Sequence, residues 1–401
     1  MSVLLIALVG LPLAIVTLCL VYLLVLALAG IKRPLWSMPD SPRHRFAIAI
    51  PAHNEEGTIG STLDQLHRQN YPPELFDIYV ACDNCSDSTA LEVRAHGGIA
   101  CERIDSKQRG KGYALAWLYP HILAAPQAYH AIVVFDADSQ ADPGFLRAMA
   151  AALAAGHRVA QGQHIIANPT AGWFPAVMFT AFAMDNRLRN LGRSNLGLSS
   201  KLMGDGMCFA REVLERHPWQ AASLTEDAEY QSTLLLNGLR VVFVPQAVTR
   251  GEIVTDLGIA RRQRHRWMQG RADVTRRLAP RLLRSGMRHA NPAQIDGAVE
   301  RVMPSYSTLI VLTALLSMVW SVLPAIAERL PWPWLAAVWT GFVAYPLLAL
   351  VLERAPLKIY LYLAYAPVYA LWRTGLRTLV RFQPRQTRWF RTPRSTKAGQ
   401  R

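Results

Sequence analysis

Five short groups of residues in this chain could carry chemistry. Asp136-Ala137-Asp138 closes an apolar run, 131–135. Two carboxylates one residue apart at a strand end can turn toward one ion. Their oxygens suit Mg²⁺ or Mn²⁺, which keep waters and take substrate phosphate oxygens. The plain alternative is a pair of turn and cap carboxylates. Thr225-Glu226-Asp227 reads as a helix start, with Thr225 capping and acids at the positive end of the dipole. It also reads as a carboxylate able to take a proton from a hydroxyl. In Gln263-Arg264-His265-Arg266-Trp267, residues 263, 266 and 267 share a face if the stretch is helical. That gathers an amide, a guanidinium whose planar fork suits a diphosphate, and an indole flat enough for a sugar ring. The alternative is a basic amphipathic helix lying on a membrane. Gly110-Lys111-Gly112 offers one cation on a flexible loop, without the Ser/Thr and spacing of a P-loop. Gly204-Asp205-Gly206 marks a tight backbone position of the kind that approaches a ligand.

The elements that must hold these residues alternate between strand and helix. Runs 46–50, 77–81, 131–135 and 241–244 are short and apolar. Stretch 58–69 places Ile59, Leu63 and Leu66 on one helical face. Further helices are expected from Ala90 and from Asp142-Pro143, where Pro suits a first turn. Polar turns follow the first three strands, at 54–57, 83–89 and from Asp136 onward. The alternation predicts an α/β fold with a mostly parallel sheet. Such sheets bind ligands beyond the carboxyl ends of their strands. Glu55, Asp83 and Asp136 should therefore cluster in space.

The chain has 401 residues, 51% hydrophobic and 18% charged, with a formal net charge of +15. Segment 256–301 holds eleven basic and four acidic residues, and 373–401 holds nine basic and none acidic, so the remainder is near neutral. Both basic segments border apolar runs. This excludes a disordered acidic chain and a disulfide-stapled mini-domain, and it speaks against a wholly soluble enzyme. Residues 1–31 carry no charge and precede Lys32 and Arg33, which predicts an uncleaved anchor with its N-terminus outside. Stretches 302–327 and 330–352, parted by Glu328-Arg329, predict a transmembrane hairpin. The alternative is a buried helical pair in a soluble domain. Stretch 355–372 is shorter and contains Lys358 and Pro367; it reads as interfacial, with Trp372 and Trp389 at headgroup level. The polar and basic parts then lie on the cytoplasmic side of the inner membrane, facing anionic lipid. No nucleic-acid-binding motif accompanies the charge. The five cysteines, Cys19, Cys82, Cys85, Cys101 and Cys208, are expected to be free thiols there. Cys82 and Cys85 form a C-x-x-C, which could be redox-active or half a zinc site, but no second pair follows at ligand spacing.

In order, the chain reads Ile-Pro-Ala-His-Asn-Glu-Glu (50–56), Asp-Asn-Cys-Ser-Asp-Ser-Thr (83–89), Arg-Gly-Lys-Gly-Tyr-Ala-Leu (109–115) and Asp-Ala-Asp (136–138). Gly-Asp-Gly-Met-Cys-Phe (204–209), Thr-Glu-Asp (225–227) and Gln-Arg-His-Arg-Trp (263–267) follow. This order resembles the membrane-bound family 2 glycosyltransferases, the group of cellulose, chitin, hyaluronan and poly-N-acetylglucosamine synthases. The likeness is close over 46–270. Beyond that it rests on the hairpin and on Trp389-Phe390-Arg391-Thr392-Pro393-Arg394.

The resemblance implies a GT-A fold that binds a UDP-sugar. Glu55 and Asp83 match positions holding the uridine base and ribose, and Lys111 a basic position near the nucleotide. Asp136 and Asp138 match the pair reaching ribose, diphosphate and a Mg²⁺ or Mn²⁺ ion, with Asp138 the direct ligand. Asp227 matches the general base and Glu226 its neighbour. Gln263, Arg266 and Trp267 match a motif that closes over the diphosphate and lines the acceptor site. Gly204, Asp205, Gly206 and Met207 match an acceptor-side loop. The expected domains are an anchor at 1–31, a GT-A domain at 43–255, basic helices at 256–300, a hairpin at 301–353, and an interfacial segment with a basic tail at 355–401. The implied activity is inverting transfer to a lipid-linked or cell-envelope glycan. Three spans are few to line a polysaccharide channel, which favours adding one or a few sugars. The Q-x-x-R-W motif is shared with processive relatives, so a processive β-polysaccharide synthase with a homo-oligomer or export partner is the alternative. A non-catalytic nucleotide-sugar-binding subunit could lack Asp227 or the D-x-D, and both are present.

Overall fold

The computed structural model of the chain describes residues 2–34, 43–220, 223–323 and 331–380. Eight strands form one sheet in the order β3-β2-β1-β4-β7-β6-β8-β5. They are β1 (Phe46–Ala52), β2 (Phe76–Asp83), β3 (Ile99–Arg103), β4 (Ala131–Val134), β5 (Gln140–Ala141), β6 (Val159–Ile166), β7 (Met207–Ala210) and β8 (Val242–Gly251). The half β3-β2-β1-β4 is wholly parallel, as is β6 with β8. β7 runs antiparallel between β4 and β6, and β5 antiparallel to β8. Strands β1 and β4 are covered on both faces, which is why they read as unbroken apolar runs rather than alternating ones. Ile48, Ile50, Val80, Val133 and Phe145 fill one face; Leu115, Leu118, Ile132, Val134 and Phe209 fill the other. The expected strands are β1, β2, β4 and β8. Strands β3, β5, β6 and β7 carry no comparable signal in the sequence; β7 is four residues squeezed between Gly206 and Arg211.

Parallel register sets Ala52 beside Cys82 at the carboxyl ends of β1 and β2, and Ala49 beside Val134 at the end of β4. Glu55, Asp83 and Asp136 therefore leave the sheet from the same edge, as expected.

The chain divides into two compact units. The sheet, its helices and 197–301 form one. The other gathers 2–32, 168–196 and 302–380. Segment 168–196, expected inside the α/β domain, is instead helical and groups with the apolar helices. It comprises Trp173–Ala183, a π-helical turn Met184–Asn190 and Leu191–Asn195. A Cβ on Gly192 would collide with the Leu26 backbone, so only glycine allows that approach. Arg187 donates to the carbonyls of Gly30 (2.7 Å) and Ile31 (2.6 Å), satisfying acceptors just past the helix Ser2–Ala29.

Among the described residues two helices are long and apolar enough to cross a membrane: Val9–Ala29, mean hydropathy 2.8, and Trp332–Leu352, mean hydropathy 2.0. Tyr306–Val322, within the third expected span, is 17 residues and by itself too short to count with these two. Glu328-Arg329, Trp389 and the 389–394 motif lie outside the described residues. Leu11, Leu18, Leu28, Met318 and Val343 are exposed on these helices, a surface that suits lipid better than water. Stretch 355–372 forms a short helix, Leu357–Tyr362, and the start of Ala366–Val380, with Leu357, Leu361 and Leu371 exposed.

Candidate active site

The end of β4 is held from below by one buried carboxylate. Asp205 accepts hydrogen bonds from the Asp136 backbone N–H (3.1 Å), Ser139 Oγ (2.6 Å), Thr249 Oγ1 (2.7 Å) and His164 Nδ1 (2.9 Å). Burial works against its charge, but His164, Ser139 and Thr249 outweigh it, and the carboxyl is held at about 2. His164 is pushed up in turn: burial opposes the imidazolium and Asp205 prevails. Asp205 was expected on the acceptor side. All its acceptor capacity is spent inside the protein, so it positions the D-x-D loop instead. Met207, expected beside it in the acceptor-side loop, is fully buried in β7 as a core residue.

Above this brace sits a cation. Lys111 opens the helix Lys111–Leu123, and its Nζ pairs with Asp136 and donates to the Gly204 carbonyl (2.7 Å). Burial alone would lower the lysine; Asp136, Glu226 and Asp205 together raise it, so it stays charged. Gly204 has φ +84, and a Cβ there would lie 3.3 Å from Lys111 Nζ and 3.7 Å from Asp227 Oδ2. The glycine thus keeps the space between the lysine and Asp227 open. Gly206, at φ +66, returns the chain into β7.

Glu226 and Asp227 open the helix Glu226–Leu236. Thr225 makes no side-chain cap. Its hydroxyl instead faces Gly270 of the long helix Leu257–Arg288, where a Cβ would lie 2.9 Å from Thr225 Oγ1. Gly270 therefore lets the Q-x-x-R-W helix lie directly on the Thr-Glu-Asp segment, and an Arg277–Glu229 pair at 2.8 Å adds a tie. Burial, then the Asp227 charge, pushes Glu226 up to about 7. Asp227 is also raised, by burial, although Lys111, Arg301 and Arg271 pull the other way. Arg266 feels Glu226 and Asp136, but burial dominates and lowers it; its buried Nε makes no hydrogen bond. Gln263 and Trp267 are half-buried on the same helix. Arg271 follows Trp267 by four residues, and that spacing alone could have flagged it. Arg301 carried no such signal.

The loops after β1 and β2 are knitted together. Asn54 (φ +55) and Asn84 (φ +52) both adopt the left-handed turn conformation that asparagine tolerates. Asn54 Oδ1 accepts from the Ser86 N–H at 2.8 Å, and the Glu55 N–H donates to Thr89 Oγ1 at 2.8 Å. Glu55 is buried. Asp83, also buried, pairs with Arg103 at 2.5 Å, and Arg103 reaches Asp105 at 2.9 Å. Arg103 lies on β3, the strand that sequence reading did not mark.

Asp136 pairs with Lys111, and Asp138 is exposed at the same strand end. Among the described residues no three His, Cys, Asp or Glu side chains could hold a metal between them. One or two carboxylates fit a Mg²⁺ or Mn²⁺ ion whose remaining ligands are water and phosphate oxygens. The unpartnered Arg266 nitrogen fits an anionic group arriving at the same place.

Residues 42–270 match the sequence profile of the family described as "Glycosyltransferase like family 2". A beta-monoglucosyldiacylglycerol synthase of Synechocystis is 25% identical over 232 residues, 57% of this chain and 48% of that protein. A probable glucomannan 4-beta-mannosyltransferase of Arabidopsis thaliana is 22% identical over 273 residues, 62% of this chain and 48% of that protein. The matches thus span about half the length of these relatives. A solved mannosyltransferase from Pyrobaculum calidifontis, in complex with GDP-Man and Mn²⁺, superposes with a TM-score of 0.53 at 20% identity. It covers 86% of this chain and 98% of its own, and it shows the fold to be GT-A.

Proposed function

The chain belongs to the glycosyltransferase-like family 2, and on that premise we propose that it moves a sugar, with inversion, from a UDP-sugar to an acceptor hydroxyl. The observation that carries this is the cluster at Gly204. Lys111 and Asp136 form an ion pair on one side, Asp227 lies on the other, and Arg266 is within electrostatic reach of Glu226 and Asp136.

The Glu55 and Asp83 loops receive the nucleotide. Lys111 and Arg266 bring positive charge to the departing diphosphate, where it is worth most in a site shielded from water. Asp138, with Asp136, would hold a Mg²⁺ or Mn²⁺ ion, which when bound would supply Lewis-acid stabilisation of the same diphosphate. Asp227 takes the acceptor proton. Its raised affinity for protons makes it a better base than an ordinary aspartate. Glu226 lies beside it, raised in turn by burial and the Asp227 charge, and Trp267 offers the sugar a flat apolar face. One base and one face of attack need no covalent intermediate, which gives inversion.

The acceptor we favour is a lipid-linked or cell-envelope glycan at the cytoplasmic face of the inner membrane. The apolar helices, the basic segments and a relative named for a glucosyldiacylglycerol product support this. The test is nucleotide release by the detergent-solubilised protein with Mg²⁺ or Mn²⁺, a panel of UDP- and GDP-sugars, and membrane lipid extract. Release with one UDP-sugar and a lipid-extractable product supports the reading. Binding without release from any donor favours a non-catalytic subunit, and a product of many sugars favours a processive synthase.

A further inference from the structure

The C-x-x-C at the end of β2 takes no part in the chemistry above. Cys82 is the register partner of Ala52, and Cys85 Sγ lies 3.7 Å from the Ala52 carbonyl oxygen. Both side chains belong to one face of the sheet: Cys82 is in its core and Cys85 packs against it. Cys101, one strand over, packs on the opposite face. Asn84 turns the chain back between the two cysteines, and the turn keeps both beside Ala52, Cys82 as its register partner and Cys85 against its carbonyl. Cys85 Sγ also receives the Asn54 N–H at 3.5 Å, so it sits where the β1 and β2 loops meet.

We propose that Cys82 and Cys85 are a reversible dithiol–disulfide pair whose oxidation weakens nucleotide binding at the rim built from the loops after β1 and β2. This rests on reading that rim as the nucleotide site. Cys85 is the more exposed thiol, and the neighbouring Cys82 thiol, with the Asn54 N–H and Thr89, brings it down to about 7 against burial. It is therefore the attacking group, and the buried Cys82 resolves. With a peroxide as oxidant, the Cys85 thiolate attacks one oxygen and breaks the O–O bond, giving a sulfenic acid and hydroxide. Cys82 sulfur then attacks Cys85 sulfur and expels the second oxygen. Two thiols and one hydrogen peroxide become one disulfide and two waters. The new bond takes Cys85 Sγ from the Asn54 N–H. It also tightens the turn holding Asp83, which Arg103 grips, and Asn84, whose Oδ1 accepts from the Asp105 N–H.

The test uses the full chain in detergent with Mg²⁺. UDP and GDP binding are titrated by calorimetry in the reduced protein, after hydrogen peroxide, and after dithiothreitol, with peptide mass locating any disulfide. The expected result is a Cys82–Cys85 disulfide, about tenfold weaker binding, and recovery on reduction. Cys85→Ser, whose hydroxyl can still accept from the Asn54 N–H, should bind as the reduced protein does and ignore peroxide, while Cys101→Ala should respond as the wild type. A pair that stays reduced, over-oxidises at Cys85, or closes without changing affinity overturns the proposal. Absence of nucleotide binding in the reduced protein refutes the reading of the rim and with it the control of binding; peptide mass still decides the disulfide.

Discussion

Neutralising one buried and one half-buried carboxylate in this protein, Asp205 and Glu226, should change stability in opposite directions. Asp205 is held at about 2 against an ordinary 3.8, which corresponds to about 2 kcal/mol favouring the fold. That contribution is present above the ordinary value and is lost as pH falls through the lower one. In Asp205→Asn an amide NH₂ would also face donors from Ser139, Thr249 or His164. Each buried donor left unpaired costs about 1–3 kcal/mol more. At pH 7 we expect the unfolding temperature of the α/β unit to fall by roughly 10 °C. Glu226→Gln goes the other way. Glu226 sits at about 7 against an ordinary 4.5, so at pH 8 its charge opposes folding by at most about 3 kcal/mol, less solvent screening of its exposed part. Its favourable contribution is complete below the ordinary value and lost as pH rises through 7. The Gln variant should therefore be more stable than wild type at pH 8 and similar at pH 5. Near-UV circular dichroism melts of detergent-solubilised protein at both pH values provide the assay. Destabilisation by both substitutions, or by neither, would refute the assignment of Asp205 as brace and Glu226 as strained site residue.

Gly270→Ala puts a Cβ within 2.9 Å of Thr225 Oγ1 and should push the Q-x-x-R-W helix off the Thr-Glu-Asp segment. Transfer should fall about 100-fold with a melting temperature within a few degrees of wild type; undiminished turnover would show that this contact is dispensable. Arg266→Ala should lower the transfer rate by about 100-fold while leaving the fold intact, read from kcat with saturating donor. A base works deprotonated, and burial raises Asp227, so the acid limb of the kcat/KM profile should lie above the ordinary aspartate range. A limb at the ordinary value would point to another base.

The parallel half of the sheet was legible because β1 and β4 are buried on both faces and leave continuous apolar runs. The convergence of Glu55, Asp83 and Asp136 followed from strand polarity alone. The antiparallel β7 was hidden because four apolar residues between a glycine and an arginine carry no period. The helical grouping of segment 168–196 was hidden for a similar reason: its arginines look like a soluble surface, but Arg187 and Arg193 are buried and Arg189 half-buried in the helical unit. The Asp205 role was invisible because its donors, His164 and Thr249, come from β6 and β8, far apart in sequence. The Gly204–Lys111–Asp136 contact likewise joins three loops that only the fold brings together.

The proposed role of Asp227 as the base of the sugar transfer is decided by comparing wild type and Asp227→Asn for UDP binding and for UDP release from the donor identified in the panel, in the same preparation. Unchanged UDP affinity with release reduced by about 1,000-fold or more is the predicted result. Release at the wild-type rate would contradict it.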